Sequence, residues 1–370
     1  ITLFLILKTG TQNWTPYKPD NIKRDDLSWE KNQMINAGID LQMFDGYIGF
    51  SVDYYNTNTS NMLLYVPVPL LTGYSTSLQN LGKVNNRGWE LALTSQHTFA
   101  NGFGYSFNAN YAKNTNEVKE LGPGNAPIIS SGSVAHAYYI TEVGKPIGNY
   151  YLLVQDGIFA TEEDLKKYPH FDNTEVGDFR FVDVDGDGKL DLDKDRTICG
   201  NYMPKFTYGF GGKLWYAGFD MDFNFQGVYG NKILNLNKRY LDNMEGNTNG
   251  TKIALDRWKS PENPGSGSVN KANRKQTGYN SRTSTWHLES GSYLRLQNLS
   301  LGYTLPRALT QKFKVEKMRV YVSGQNLFTI TNYSGYNPEV NARPSKNLTP
   351  GEDYGTYPLA RTYMFGLNLT

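Results

Sequence analysis

Cysteine is almost missing: Cys199 stands alone among 370 residues, so no intrachain disulfide and no thiolate metal site can form. Histidine is scarce as well. His97, His136, His170 and His287 are the four histidines, and their spacing matches no zinc site. Long apolar runs are absent; the longest, residues 1–7, is too short to cross a bilayer as a helix. Net charge is only +2 and no basic block stands out, which argues against nucleic acid as the main partner. No nucleophile-elbow or P-loop pattern occurs, so nothing in the sequence supports an enzyme. Position 1 is not Met and no signal peptide is visible. An exported protein needs such a signal; either it was removed or the chain is a fragment of a longer one, and a fragment is expected.

Aromatic residues are abundant: 14% of the chain, with 27 Tyr and 18 Phe. Tyrosine joins an apolar body to a polar tip, which suits membrane–water interfaces and sugar-binding surfaces. Mean hydropathy is −0.55, a value open to a soluble protein or to a β-barrel whose alternation hides its lipid-facing residues. Alternation is what the chain shows. At its end, Leu359, Arg361, Tyr363, Phe365, Leu367 and Leu369 fall on one face of a strand, and mostly small or polar residues fall on the other.

The same pattern recurs upstream. Segment 33–44 leads through Asp45-Gly46 into a return strand carrying Ile48, Phe50, Val52 and Tyr54. Trp89, Leu91 and Leu93 lead through Asn101-Gly102 into 103–111. Phe206, Tyr208 and Phe210 lead through Ala217-Gly218 into Phe219, Met221, Phe223 and Phe225, which alternate with Asp220, Asp222 and Asn224. Segments 134–143, 149–157, 292–305, 318–329 and 357–370 complete about eleven strands. Buried charge is costly, so the Asp-rich face needs water, while the Phe-rich face needs lipid or a core.

Short turns (45–46, 101–102, 144–148, 217–218, 306–317) alternate with long loops (58–86, 113–133, 158–204, 231–291, 330–356). That alternation predicts an all-β, antiparallel transmembrane barrel with short periplasmic turns and long extracellular loops. The order closes with a periplasmic C-terminus when 134–143 counts as a strand. Phe206, Tyr208, Phe210, Phe219, Phe223 and Phe225 should then face lipid, and Asp220, Asp222 and Asn224 the other side.

Residues 183–195 carry the sharpest local motif. Asp183, Asp185 and Asp187, then Gly188, Lys189, Leu190 and Asp191, follow the spacing of an EF-hand calcium loop. The expected ligands are Asp183, Asp185, Asp187, the Lys189 carbonyl and Asp191, directly or through water. Lys194 occupies the place of the terminal acid, so Asp195 or Asp193 must supply it. A solvated acidic turn without metal is the competing reading. No flanking helices are evident, so calcium would be structural and would order the loop. Trp14, Tyr74, Trp258, Tyr279, Trp286, Tyr336 and Tyr354 are aromatic candidates for stacking on sugar rings or for packing the loops.

Several segments together resemble the SusC/RagA-type TonB-dependent outer-membrane transporters. They are Asp26-Leu-Ser-Trp-Glu-Lys31, Gly82-Lys-Val-Asn-Asn-Arg-Gly-Trp-Glu-Leu91, Val143-Gly-Lys-Pro-Ile-Gly148, Asp156-Gly-Ile-Phe159, the 183–196 loop, Tyr293-Leu-Arg-Leu-Gln-Asn-Leu-Ser-Leu-Gly-Tyr303 and Tyr321-Val-Ser-Gly-Gln-Asn-Leu-Phe328. The resemblance runs in order from residue 25 to 370 as the C-terminal part of the barrel, whereas 1–24 fits poorly. It implies barrels of about twenty-two strands with an N-terminal plug, set in outer-membrane lipid of Bacteroidota. It also implies import of oligosaccharides or peptides beneath a SusD-like surface lipoprotein, with energy from TonB. On that expectation the plug and the TonB-contacting segment precede residue 1, and this chain by itself does not transport. The alternative from the residues alone is a soluble, secreted, calcium-binding β protein that binds carbohydrate.

Overall fold

The computed structural model describes residues 22, 25–74, 76–246, 248–274 and 278–370. Most of the poorly fitting 1–24 segment, and with it Trp14, lies outside them.

Nine strands form one antiparallel sheet in which each strand hydrogen-bonds its neighbours in chain order. They are β1 (Lys31–Met43), β2 (Ile48–Pro67), β3 (Thr76–Thr98), β4 (Gly104–Glu120), β5 (Phe206–Tyr216), β6 (Phe219–Tyr229), β7 (Tyr293–Thr304), β8 (Met318–Thr331) and β9 (Thr362–Leu369). No helix among the described residues is long and apolar enough to cross a membrane.

The turns follow their residues. Ala217 and Gly218 both adopt positive φ (48° and 88°), and Tyr216 pairs with Phe219, the two-residue hairpin whose twist suits flanking strands. The turn at Asp45-Gly46 is wider than expected. Phe44 also takes a positive φ, and pairing resumes at Met43 and Ile48. The Asn101-Gly102 turn likewise widens to 99–103, with the Asn101 side chain accepting the Phe103 N–H at 3.0 Å.

Residues opposite one another in an antiparallel pair share a face, so the register assigns the sides. Tyr111, Tyr208 and Gly227 align across β4, β5 and β6, as do Ala109, Phe210 and Phe225. The same apolar face continues through Leu296 and Phe328, then Val322 and Phe365, and on the other side through Leu91, Val52 and Ile39. Phe206, Tyr208, Phe210, Phe219, Phe223 and Phe225 all lie on it. Rings stack along it, Phe210 on Phe225 at 4.8 Å and Phe206 on Tyr229 at 5.0 Å.

Among the described residues no second sheet sandwiches this face. Phe219 is 64% exposed and Phe365 83%, an apolar expanse that water does not tolerate. The soluble alternative, which needs these rings packed between stacked sheets, loses its footing here.

Aromatic clusters mark both ends of the face. Tyr47, His97 and Phe99 touch in sequence at 4.5 Å near the short turns, and Phe219 meets Tyr303 at 4.4 Å. Tyr54 and Trp89 (4.8 Å) and Tyr111 and Phe206 (5.3 Å) lie toward the long loops. Ten residue steps along β5 cover about 33 Å; at the usual tilt that is about 25 Å, the height of an outer-membrane apolar band between its girdles.

The opposite face carries Asn108, Asn110, Asp220, Asp222, Asn224, Asn298 and Gln325. Arg319 of β8 grips Asp220 of β6 through two hydrogen bonds, 2.9 and 2.5 Å, across Gly302 of β7. A Cβ at Gly302 would strike that guanidinium, so the pair requires glycine there.

The expected strand count and one expected loop are corrected. Segments 134–143 and 149–157 do not join the wall, which has nine strands in place of about eleven, and the turn at 144–148 lies within a loop. Their strands, Tyr138–Thr141 and Asn149–Leu153, belong to a separate four-stranded sheet with Ile128–Ser131 and Arg196–Gly200. The reason is burial on both faces: Tyr139, Tyr150 and Leu152 are enclosed on one, and Ile140, Asn149 and Leu153 on the other, with no lipid-facing side to offer. The long loop expected at 58–86 is likewise mostly strand, leaving only 68–75. Connections 44–47, 99–103, 217–218 and 305–317 lie at one end of the wall, and 68–75, 121–205, 230–292 and 332–361 at the other, where three of the four are long.

Candidate functional site

Three long loops merge into one assembly beside the polar face of the wall. Tyr139, Tyr150 and Leu152 of loop 121–205 pack with Leu234 and Leu236 of loop 230–292. Lys232–Asn235 pairs with Leu288–Ser290 and also, in parallel, with Glu352–Asp353 of loop 332–361. Burying this much apolar surface orders loops that would otherwise be mobile.

Buried acids tie the loops together. Glu352 is completely enclosed. It accepts the Ser133 N–H at 3.1 and 3.2 Å, the Ser133 hydroxyl, and the Tyr139 hydroxyl at 3.0 Å. Asn280 donates to both Asp178 (2.8 Å) and Glu245 (3.0 Å), while its oxygen takes the Phe179 N–H at 2.8 Å. Burial raises the pKa of Glu245.

A second latch pins loop 332–361 to the polar face. Glu339 accepts from Tyr293 at 2.6 Å and from Arg295, whose other nitrogen reaches Asn337 at 2.8 Å. Arg295 is buried, and only the paired carboxylate makes that tolerable.

The acidic loop is shaped largely by its own backbone. Asp183 accepts the N–H groups of Gly186 (2.7 Å) and Gly188 (2.9 Å). Asp185 takes the Asp187 N–H and Asp187 takes that of Lys189. Ligand-capable oxygens of Asp183, Asp185 and Asp187 all lie within 4.8 Å of one another. Asp191 stands outside this trio; the N–H groups of Asp193 and Lys194 lower its pKa. Asp195 is buried and closes the loop at its base, receiving the N–H of Val184 at 2.8 Å and of Asp191 at 2.6 Å. Asp193 instead points outward to Arg196 at 2.9 Å.

Three of the aromatic candidates are packing residues. Tyr279 stacks on Phe171 at 4.0 Å, and Trp258 and Trp286 border the core that contains Phe179. Tyr354 approaches Tyr240. Tyr74 is half-buried, and Tyr336 stands exposed.

A family profile described as TonB dependent receptor-like, beta-barrel matches residues 8–327. The chain belongs to this family. It is 34% identical over 357 residues to TonB-dependent receptor P3 of Formosa agariphila, covering 93% of this chain and 34% of that protein. It is 27% identical over 351 residues to TonB-dependent receptor SusC of Bacteroides thetaiotaomicron, covering 93% and 32%. A chain of the RagAB peptide transporter superposes with a TM-score of 0.77 at 25% identity, over 99% of this chain and 38% of that one. The chain thus spans about a third of the length of the curated relatives it matches. This TonB-dependent receptor barrel is of the SusC/RagA type and is an outer-membrane protein, with the apolar face of β1–β9 toward lipid and the polar face toward the barrel interior.

Proposed function

We propose that residues 25–370 form the C-terminal wall and loop assembly of an importer for oligosaccharides or peptides, driven through TonB and served by a SusD-like surface lipoprotein at its mouth. The reading is transport, with no catalytic step. The carrying observation is the two-sided wall: a lipid-compatible apolar face backed by an amide-rich polar one, with ordered loops at a single end. The kinship with SusC and with the RagAB peptide transporter supports it. Cells carrying the full-length protein should take up a labelled oligosaccharide or peptide only when TonB is present. Uptake that is equal without TonB contradicts the proposal.

We further propose that the 183–195 loop binds calcium as a structural ion. Asp183, Asp185 and Asp187 already converge, and Ca²⁺ takes six to eight oxygens, which the Lys189 carbonyl, Asp191 and Asp195 would complete. Of the two candidate terminal acids, the buried position of Asp195 at the loop base favours it over the outward-turned Asp193. Such an ion would neutralise acids whose mutual repulsion otherwise opposes the fold, and would brace β-strand Arg196–Gly200 directly after it. Calorimetry on the full-length protein should show calcium heat that vanishes in Asp185→Ala/Asp187→Ala, together with higher protease sensitivity of loop 158–204. No heat in the unaltered protein, or the same heat in the variant, leaves only a solvated acidic turn.

A further inference from the structure

Two arginines of loop 230–292 contact neighbouring residues of loop 121–205, Arg239 the Ala135 carbonyl and Arg282 the His136 ring. Arg239 donates to the carbonyls of Ser281 at 2.5 Å and Ala135 at 3.3 Å. Arg282 lies against Nε2 of His136, and its guanidinium sits 5.1 Å from the Tyr279 ring. Thr283 also donates to the Ala135 carbonyl at 3.3 Å. Both guanidiniums thus lie near His136, whose ring each acts on electrostatically, and Ala135 is exposed to solvent.

Neither arginine is ion-paired among the described residues. Of the nearby acids, Asp193 pairs with Arg196 at 2.9 Å and Glu289 with Lys238 at 3.5 Å, while Glu245 is bonded to Asn280 and to the Ser281 N–H. His136 brings no balancing charge. Burial, then Arg282, Arg239 and Arg196, hold its pKa down to about 4, so at neutral pH its Nε2 accepts a guanidinium N–H. Its φ of 66° is a strained conformation for a residue other than glycine, and such strain concentrates at binding sites. A guanidinium has five N–H donors in a planar fork, and Arg239 and Arg282 each use few of theirs on neutral acceptors.

We propose that the junction of Arg239, Arg282 and His136 holds an oxyanion, carboxylate or sulfate, of an acidic solute, an inference that rests on the importer reading. Two guanidiniums beside one neutral histidine, neither in an ion pair among the described residues, suit an oxyanion because the fork matches its geometry bidentately and the bond is charge-assisted. An uncharged sugar or peptide could not neutralise them, so the site selects for acidic members of the solute class.

The test uses crystals of the full-length protein soaked in sodium selenate, with calorimetry of sodium sulfate in solution. An anomalous selenium peak is expected within hydrogen-bond reach of both guanidiniums. Arg239→Gln and Arg282→Gln should each weaken sulfate about tenfold or more, while Arg282→Lys retains partial binding. Unchanged protease resistance of the loops shows that a variant has folded. Trigalacturonate (carboxylate source), a sulfated disaccharide or a diglutamate peptide should displace selenate, and the pattern among them names the source; maltotriose should not. No peak, a peak indifferent to both Gln variants, or an adventitious ion only, displaced by none of the acidic solutes, overturns the proposal. TonB-dependent uptake is read separately: uptake without a selenate peak sinks this site alone, and a displaceable peak without uptake sinks the importer reading and leaves the oxyanion site standing.

Discussion

Phe225→Arg should destabilise the folded wall by about 2–4 kcal/mol, the cost of a guanidinium held at the middle of an outer-membrane lipid face. Phe225 lies on β6 between the aromatic ends marked by Phe219 and Tyr229, stacked on Phe210 and edge-on to Phe328 at 6.2 Å. An arginine there must leave its charge in hydrocarbon or drag water inward. Asn108→Arg, on the opposite face of β4 and exposed to the interior, should cost under about 1 kcal/mol because its charge stays in water. Denaturant unfolding of the full-length protein from phospholipid vesicles measures both. Equal costs, or a larger cost at Asn108, would mean that the two faces have been assigned wrongly.

Glu352→Ala should unfasten the loop assembly while sparing the wall. Its carboxylate is the common acceptor for Ser133 and Tyr139, which lie more than two hundred residues away in sequence. Removal leaves buried donors without partners, at about 3–5 kcal/mol for breaking such a network. Gly132 approaches the same carboxylate so closely that a Cβ would collide with it, so the packing cannot accept a shifted substitute. Hydrogen exchange should speed up across Tyr138–Thr141 and Glu352–Asp353, with β5 and β6 unchanged. Glu352→Gln keeps one carbonyl acceptor and should fall between. Undiminished protection in the alanine variant would show that apolar packing alone holds the loops.

The wall was legible because each of its strands reports both environments at once. Phe219 to Phe225 alternate with Asp220 to Asn224, so period two names the strand, the faces and the need for two different solvents. Tyr139, Tyr150 and Leu152 carry no such contrast. Strands enclosed on both faces look like wall strands that merely lack polar partners, and two of them entered the barrel count by mistake. The Asp183, Asp185 and Asp187 cluster was readable because its geometry is local, within one turn of chain. Glu352, Glu339, Asn280 and Arg295 were not, since their partners come from other loops and no spacing rule links them. Trp258, Tyr279 and Trp286 show the same limit: an aromatic in a long loop reads as a ligand platform until the fold places a core around it.

The central claim is that one face of β1–β9 meets lipid and the other meets water. With Cys199 and any further cysteine of the full-length protein replaced by serine, single cysteines at Phe210, Phe225 and Phe365, and at Asn110, Asn224 and Asn298, can each carry a fluorescent label in the reconstituted protein. Doxyl-labelled lipid should quench the first three, and a water-soluble nickel chelate should leave them bright. Doxyl lipid should barely touch the last three. Strong lipid quenching at Asn110, Asn224 and Asn298, or none at Phe210, Phe225 and Phe365, would contradict the account.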